Sequence, residues 1–374
     1  MTEHDILERL VSFPSVVGQP NADIVEWVRD YAQSHGAHVT VEMGPEGDRA
    51  NLFASIGPRD VPGVILAGHM DVVPAGEAGW TSDPFTLRAD GDQLFGRGTS
   101  DMKGFLACAL AALPELAKMP LKCPVHLAFS YDEEAGCRGA PHLIKLIPSL
   151  CALPEMCIVG EPSGLLAIRA HKGKAAARIT LRGRSGHSSR PDQGLNAIHA
   201  MSEVLASAVN TASALMQGPF DSHFEPPYSS LQVGTISGGQ AVNIIPDLCV
   251  ADIEARAISG VSPANLLDPL RQATEALRAK GFDTTFETLS EYPALSLSAD
   301  APLTALMRDL TGIEPLAAVS YGTEAGLYQA AGIDSIICGP GDIGRAHKAN
   351  EYILRDELAA CYTMMLNLGT RLSI

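Results

Sequence analysis

Short, wholly apolar runs alternate along the chain with longer stretches whose apolar positions recur at helical spacing. Val64-Ile65-Leu66-Ala67, Val125-His126-Leu127-Ala128-Phe129, Met156-Cys157-Ile158-Val159 and Ser335-Ile336-Ile337-Cys338 have the length of buried strands. Residues 2–13, 21–35, 103–118 and 352–369 carry the helical pattern, and 103–118 is so rich in Ala and Leu that every face must be covered. Strands alternating with helices predict an α/β domain: a mixed, mostly parallel sheet with helices on both faces.

The middle of the chain has a different order. Strand 177–181, helix 194–214, strands 230–236 and 248–257, helix 263–279 and strand 282–288 give β-α-β-β-α-β, the pattern of a small ferredoxin-like α+β domain. An inserted domain over 174–289 is expected, with 1–173 and 290–374 joining into one catalytic domain.

The 374 residues suit two domains, and 46% hydrophobic against 19% charged residues is ample for packed cores. A net charge of −16 argues against a nucleic-acid partner, because phosphate binding needs a basic face. The start has no apolar leader, and no apolar run approaches the ~18 residues of a membrane span. The eight cysteines include no Cys-x-x-Cys pair and sit mostly in apolar runs, as reduced, buried thiols do. A cytoplasmic protein with no membrane contact is expected.

The chemistry gathers where the apolar runs end. His69 and Asp71 follow the first, Glu133 and Glu134 the second and Glu161 the third, while His347 lies in the Gly-rich loop after the last. Asp101 stands between Gly98 and Gly104 at the start of the Ala-rich helix. Singly these have ordinary readings, such as a helix cap for Asp101 or a solvated acidic turn for Glu133-Glu134. Together they form five loops offering carboxylate or imidazole at one edge of an α/β sheet, the setting for a metal centre. Asp71 is placed to orient His69. Adjacent Glu133 and Glu134 point in different directions, so one can bind metal while the other faces water. The mixed donors suit Zn²⁺, Mn²⁺ or Co²⁺ better than Mg²⁺.

The motifs Gly68-His69-Met70-Asp71-Val72-Val73-Pro74, Gly96-Arg97-Gly98-Thr99-Ser100-Asp101-Met102-Lys103-Gly104, Asp132-Glu133-Glu134 and Gly160-Glu161-Pro162 resemble those of the dizinc aminoacylase and carboxypeptidase family. That family includes acetylornithine deacetylase, succinyl-diaminopimelate desuccinylase and glutamate carboxypeptidase. The resemblance implies a zinc exopeptidase-like fold holding two divalent ions, Zn²⁺ first, with Co²⁺ or Mn²⁺ as alternatives. It implies that Asp101 bridges them, with His69 and Glu161 on one ion and Glu134 and His347 on the other. Glu133 is then the general base, and the Asp101-Met102 peptide is cis.

The resemblance also assigns His187, in Gly186-His187-Ser188-Ser189, to oxyanion stabilisation across a homodimer built through the inserted domain. Asn243 and Arg256 become a clamp on a substrate α-carboxylate. Tyr131-Asp132-Glu133-Glu134-Ala135-Gly136-Cys137, Ala170-His171-Lys172-Gly173 and Tyr321-Gly322-Thr323-Glu324-Ala325-Gly326-Leu327 look most like acetylornithine deacetylases. Gly322, Thr323 and Glu324 are thus expected at the substrate, with Glu324 either facing a side-chain amine or simply starting a helix. The expected activity is hydrolysis of an N-acyl amino acid, N-acetylornithine first, as a step of arginine biosynthesis. A desuccinylase, another N-acyl-amino-acid deacylase, a dipeptidase and a non-catalytic binding protein on the same fold are the alternatives.

Overall fold

All four apolar runs become neighbouring parallel strands in the computed structural model, which describes residues 1–374. The six-stranded sheet runs in the order His38–Met43, Ala50–Ile56, Val125–Ser130, Val64–His69, Met156–Pro162, Asp334–Gly339. Its last four strands are parallel, and Ala50–Ile56 pairs antiparallel with both of its neighbours. Strands buried on both faces need no polar alternation, so Val64–His69 and Val125–Ser130 are covered along their whole length. Helix Gly104–Leu116 is buried almost all round, packed against the closing helix Arg355–Arg371 and the first helix Glu3–Val11. That first helix is started by a capping box: the Asp5 N–H donates to the Thr2 hydroxyl, and the Thr2 N–H to the Asp5 carboxylate.

These elements form one compact unit, residues 1–170, 295–318 and 323–374. A second unit comprises residues 171–294 and 319–322. It has an antiparallel four-stranded sheet ordered Ser230–Gly238, Leu248–Ala257, Gly173–Arg182, Asp283–Tyr292. Helices Ala197–Leu215 and Asp268–Ala276 lie in its connections, which is the split βαβ arrangement. Its central strands alternate buried and open positions, with Ala177, Ile179, Leu181, Ala251, Ile253 and Ala255 on the core side.

Several elements depart from the sequence expectation. The closing helix starts at Arg355, because Tyr352–Leu354 is a strand paired with Gln93–Phe95 in a small separate sheet. Helix 263–279 is an α-helical core, Asp268–Ala276, between two 3₁₀ turns. Strands His38–Met43 and Ala50–Ile56 and helices Ala140–Leu150 and Pro302–Thr311 have no counterpart in the expected list. His38–Met43 has no continuous apolar run, because it lies at the sheet edge and is only partly covered. No helix is long and apolar enough to cross a membrane.

His126 gives the first unit a built-in acid sensitivity. Its ring is buried in strand Val125–Ser130, stacked on Phe53 at 5.1 Å, with Nδ1 2.8 Å from the Ser55 hydroxyl and Nε2 unpartnered. Burial pulls the imidazole down to about 4. An unfolded chain takes up this proton near pH ~6.5 while the folded chain refuses it. Stability therefore falls as pH drops from ~6.5 to ~4, by roughly 1.4 kcal/mol per pH unit. His126→Gln should flatten the fall of the urea midpoint between pH 7 and pH 4.5. Parallel slopes for the two proteins would remove His126 from the account.

Candidate metal centre

Each candidate ligand is held by a different element of the first unit. His69 ends strand Val64–His69, and Glu161 lies within strand Met156–Pro162 rather than beyond it. Glu133 and Glu134 follow strand Val125–Ser130, and His347 follows Asp334–Gly339 and a 3₁₀ turn. All of these stand at the carboxyl end of the parallel strands. Asp101 arrives differently: it lies in the irregular turn Thr99–Lys103 that leads into helix Gly104–Leu116, not at the end of a strand of the large sheet. The Asp101-Met102 peptide is cis, as the resemblance implies. His347 sits at φ 58°, in the left-handed region that bulky residues seldom adopt.

The two oxygens of Asp101 face two different imidazoles. Oδ1 is 3.2 Å from Nε2 of His69, and Oδ2 is 3.3 Å from Nε2 of His347. Glu134 Oε1 is 3.0 Å from the same His347 nitrogen, and Glu161 Oε1 is 3.9 Å from the His69 nitrogen. The ligand atoms of His69, Asp101 and Glu134 lie within 4.8 Å of one another, as do those of His69, Glu133 and Glu161. Four carboxylates and two imidazoles in so small a volume carry excess negative charge, and their mixed O and N donors fit divalent cations. The residues present therefore suit the metal that the motifs imply.

Electrostatics follow from burial and crowding. Burial pulls the His69 imidazole down, but its bond to Asp101 and the charges of Asp71 and Glu161 overcome this and hold it well above its ordinary value. The bonds to Asp101 and Glu134 hold His347 up to about 10. Burial opposes ionisation of Asp101, yet the two imidazoles hold it well below the usual carboxylate range. Burial pushes Glu133 up to about 8 and Asp71 up to about 6.

Asp71 orients His69 as expected, through its main-chain carbonyl rather than its carboxylate. The nearest partner of His69 Nδ1 is the Asp71 carbonyl at 2.9 Å, with the carboxylate at 3.6 Å. The ring N–H donates to that carbonyl, which turns Nε2 toward the cluster. The Asp71 carboxylate instead accepts the backbone N–H groups of Glu133 and Glu134, at 3.1 and 3.2 Å. It thereby fixes the peptide from which both glutamate side chains leave.

Of the remaining expected residues, Glu324 and Thr323 belong to the first unit, with Glu324 near His69 and Asp71. Glu324 is enclosed: it is 1% exposed, one carboxylate oxygen accepts the Ser130 hydroxyl, and the other is buried with no partner. A carboxylate shut in the core offers no open face to a side-chain amine, and the other expected role is the one seen: Glu324 starts helix Ala325–Ala330. Burial pushes it up to about 7. Thr323 is buried, and its hydroxyl accepts the Ala325 N–H at the start of helix Ala325–Ala330. Gly322 belongs to the second unit, where a side chain would collide with the Tyr292 ring at 2.5 Å. His187, Asn243 and Arg256 also belong to the second unit. His187 is exposed, and the Ser189 N–H donates to its Nδ1 at 3.2 Å. Asn243 is exposed, and Arg256 donates to Glu254 at 2.7 Å and to the Tyr292 hydroxyl at 3.3 Å.

Two residues outside the sequence expectation touch the cluster. The Cys137 thiol lies 3.4 Å from Glu133 Oε1, and the buried Glu351 carboxylate accepts the Asp101 N–H at 3.0 Å. Glu351 follows His347 by only four residues, but a lone acid in a polar loop carries no pattern.

Residues 65–370 match the peptidase family M20/M25/M40. The chain is 32% identical over 357 residues to an acetylornithine deacetylase of Aliivibrio fischeri, covering 93% of each chain. It is 32% identical over 368 residues to an acetylornithine deacetylase of Edwardsiella ictaluri, covering 96% of this chain and 94% of that one. In fold it is similar to the M20 family metallo-carboxypeptidase Sso-CP2 of Sulfolobus solfataricus, with a TM-score of 0.80 at 17% identity and 99% of each chain covered. The chain belongs to peptidase family M20/M25/M40 and is a hydrolase.

The geometry predicts a metal count that separates the two adjacent glutamates. Protein titrated with Zn²⁺ should take up two equivalents, Glu134→Ala about one, and Glu133→Gln two. Loss of metal from Glu133→Gln with retention in Glu134→Ala would exchange their assignments.

Proposed function

We propose that this protein is a two-metal amide hydrolase that removes the acyl group from an N-acyl amino acid, with N-acetylornithine as the substrate. The observation that carries the chemistry is Asp101, whose two oxygens each face a separate imidazole. His69 and Glu161 would complete one site, and His347 and Glu134 the other, with zinc the first choice among cations that suit such donors. When bound, the two cations polarise the amide carbonyl and make water a competent nucleophile at neutral pH. Support for the substrate comes from relatives named acetylornithine deacetylase, aligned along most of the chain.

Glu133 is assigned the proton transfers. Its carboxylate takes the proton of the attacking water and delivers it to the leaving amine. Asp71 holds the Glu133 peptide, and the Cys137 thiol donates toward the Glu133 carboxylate. His187 is assigned to the developing oxyanion. Because the Ser189 N–H donates to Nδ1, that nitrogen is the acceptor and the ring proton resides on Nε2, ready to be donated. Arg256 and Asn243 are assigned to the α-carboxylate, for which a guanidinium offers paired N–H groups.

Homodimer formation is assigned to the second unit, which exposes Val209, Phe220, Ile236 and Val242. The eight free thiols suit a reducing, cytoplasmic setting, and the substrate places the activity in arginine biosynthesis.

One observation favours a broader specificity. Enclosed Glu324 presents no charge to ornithine's amine, which leaves a general N-acyl-amino-acid hydrolase as the second reading. N-acetylornithine and N-acetylnorvaline, which differ by that amine, separate the two. A kcat/KM ratio above ten supports the ornithine reading, and equal values support the general one. Esterifying the α-carboxylate should lower kcat/KM, since an ester cannot form paired bonds to the guanidinium as a carboxylate can. An ester turned over like the free acid would remove Arg256 and Asn243 from substrate binding.

A further inference from the structure

Glu351 lies on the loop that carries His347, just before strand Tyr352–Leu354, and is 1% exposed. Its Oε1 accepts the backbone N–H groups of Ser100 and Asp101, at 2.9 and 3.0 Å. Its Oε2 accepts the Gly98 N–H at 3.0 Å and Arg97 Nη1 at 2.9 Å. Its own carbonyl accepts the Gly96 N–H at 3.0 Å. Four donors saturate a carboxylate's acceptor sites.

The donors belong to a turn that cannot satisfy itself. Gly98 is at φ 82°, and Asp101 and Met102 have non-helical φ and ψ, so N–H groups here point away from any regular ladder. A buried N–H without an acceptor is costly, and a carboxylate is the strongest acceptor a side chain can offer. Arg97 extends the clasp: it also donates to the carbonyls of Lys348 and Pro74, pairs with Glu77, and stands over the Trp80 ring at 5.3 Å.

We propose that Glu351 is the positioning residue for Asp101, shaping the Arg97–Asp101 turn before any metal arrives and tying it to the His347 loop. The proposal rests on the reading of Asp101 and His347 as metal ligands. Glu351 touches neither substrate nor metal; it acts through the peptide it holds. A glutamine at 351 keeps the shape but not the function. Whichever way the amide turns, its NH₂ faces N–H donors instead of accepting from them.

The test compares wild type, Glu351→Gln and Ile24→Ala. The last is a core truncation in a helix that carries no candidate ligand, and it controls for a general loss of stability. Co²⁺ affinity is measured by chelator competition, together with the Co²⁺ absorption spectrum. In Glu351→Gln the affinity should fall by roughly 10–100-fold and the spectrum should change, with kcat lowered and KM little altered. Ile24→Ala should melt earlier and keep wild-type affinity and spectrum. In metal-free wild type, hydrogen exchange at the amides of Gly98, Ser100 and Asp101 should be slow.

Wild-type Co²⁺ affinity and spectrum in Glu351→Gln would overturn the proposal, as would a loss no larger than that in Ile24→Ala. Unprotected amides at 98, 100 and 101 in the metal-free protein would overturn it too, and that measurement decides alone if Glu351→Gln does not fold. A wild type that binds no metal sinks the metal-ligand reading and the proposal with it. That differs from a wild type loading two ions while Glu351→Gln matches it, which sinks the proposal alone.

Discussion

Like charges forced together in a buried space constrain everything around them. Asp71, Asp101, Glu133, Glu134 and Glu161 crowd around His69 and His347, where each carboxylate raises the cost of ionising the next. Such a cluster persists only if the backbone holds it against its own repulsion and if positive charge is available to balance it. The sheet supplies the first requirement. Four parallel strands, buried on both faces, end at one edge and deliver their side chains there regardless of electrostatic cost. Hydrogen bonds from backbone N–H groups supply part of the second, at Asp71 and Glu351 alike.

This division explains what could be read from the sequence. Strand and ligand share one local signal, an apolar run ending in His or Glu, so His69, Glu133, Glu134 and Glu161 could be picked out together with the elements that hold them. The alternating strands and helices of the second unit were legible for the same reason: one face is buried and the other is open. Antiparallel Ala50–Ile56 was missed although it is wholly buried, because Asn51 and Ser55 interrupt its apolar run. Asn51 is kept there by bonds to Glu42 on the neighbouring strand and to the Gly139 carbonyl, 88 residues along the chain. Glu351, and the burial of Glu324, were obscure on the same principle. What makes them special is burial by residues distant in sequence, and an acid in a polar loop reads the same whether it ends in water or in a core.

Asp71 shows how one residue can serve two neighbours through different atoms. A carboxylate two residues from an imidazole suggests a direct pair, and the two do approach to 3.6 Å. Yet the carbonyl of the same residue is closer, and the carboxylate is committed to the peptides of Glu133 and Glu134. Asp71 thus couples the His69 strand end to the loop bearing both glutamates, with its main chain serving one and its side chain the other. Removing its carboxylate would free two adjacent residues that must point in different directions, whereas the His69 tautomer, set by the carbonyl, would survive.

The metal cluster contains no group complementary to a particular amino-acid side chain. Its carboxylates and imidazoles address an amide bond, which every N-acyl amino acid and every dipeptide presents. Glu324, the one nearby acid that could have read an amine, is hydrogen-bonded to Ser130 inside the core. Discrimination among substrates must then come from groups outside the cluster, a role we propose for His187, Asn243 and partly exposed Arg256, whose polar atoms are open. Arg256 is already engaged by Glu254 and Tyr292, so a substrate carboxylate would have to compete with Glu254 for the guanidinium. That competition favours a ligand able to form two parallel bonds at once over one that offers a single acceptor. A free α-carboxylate meets this requirement, and an esterified or amidated one does not.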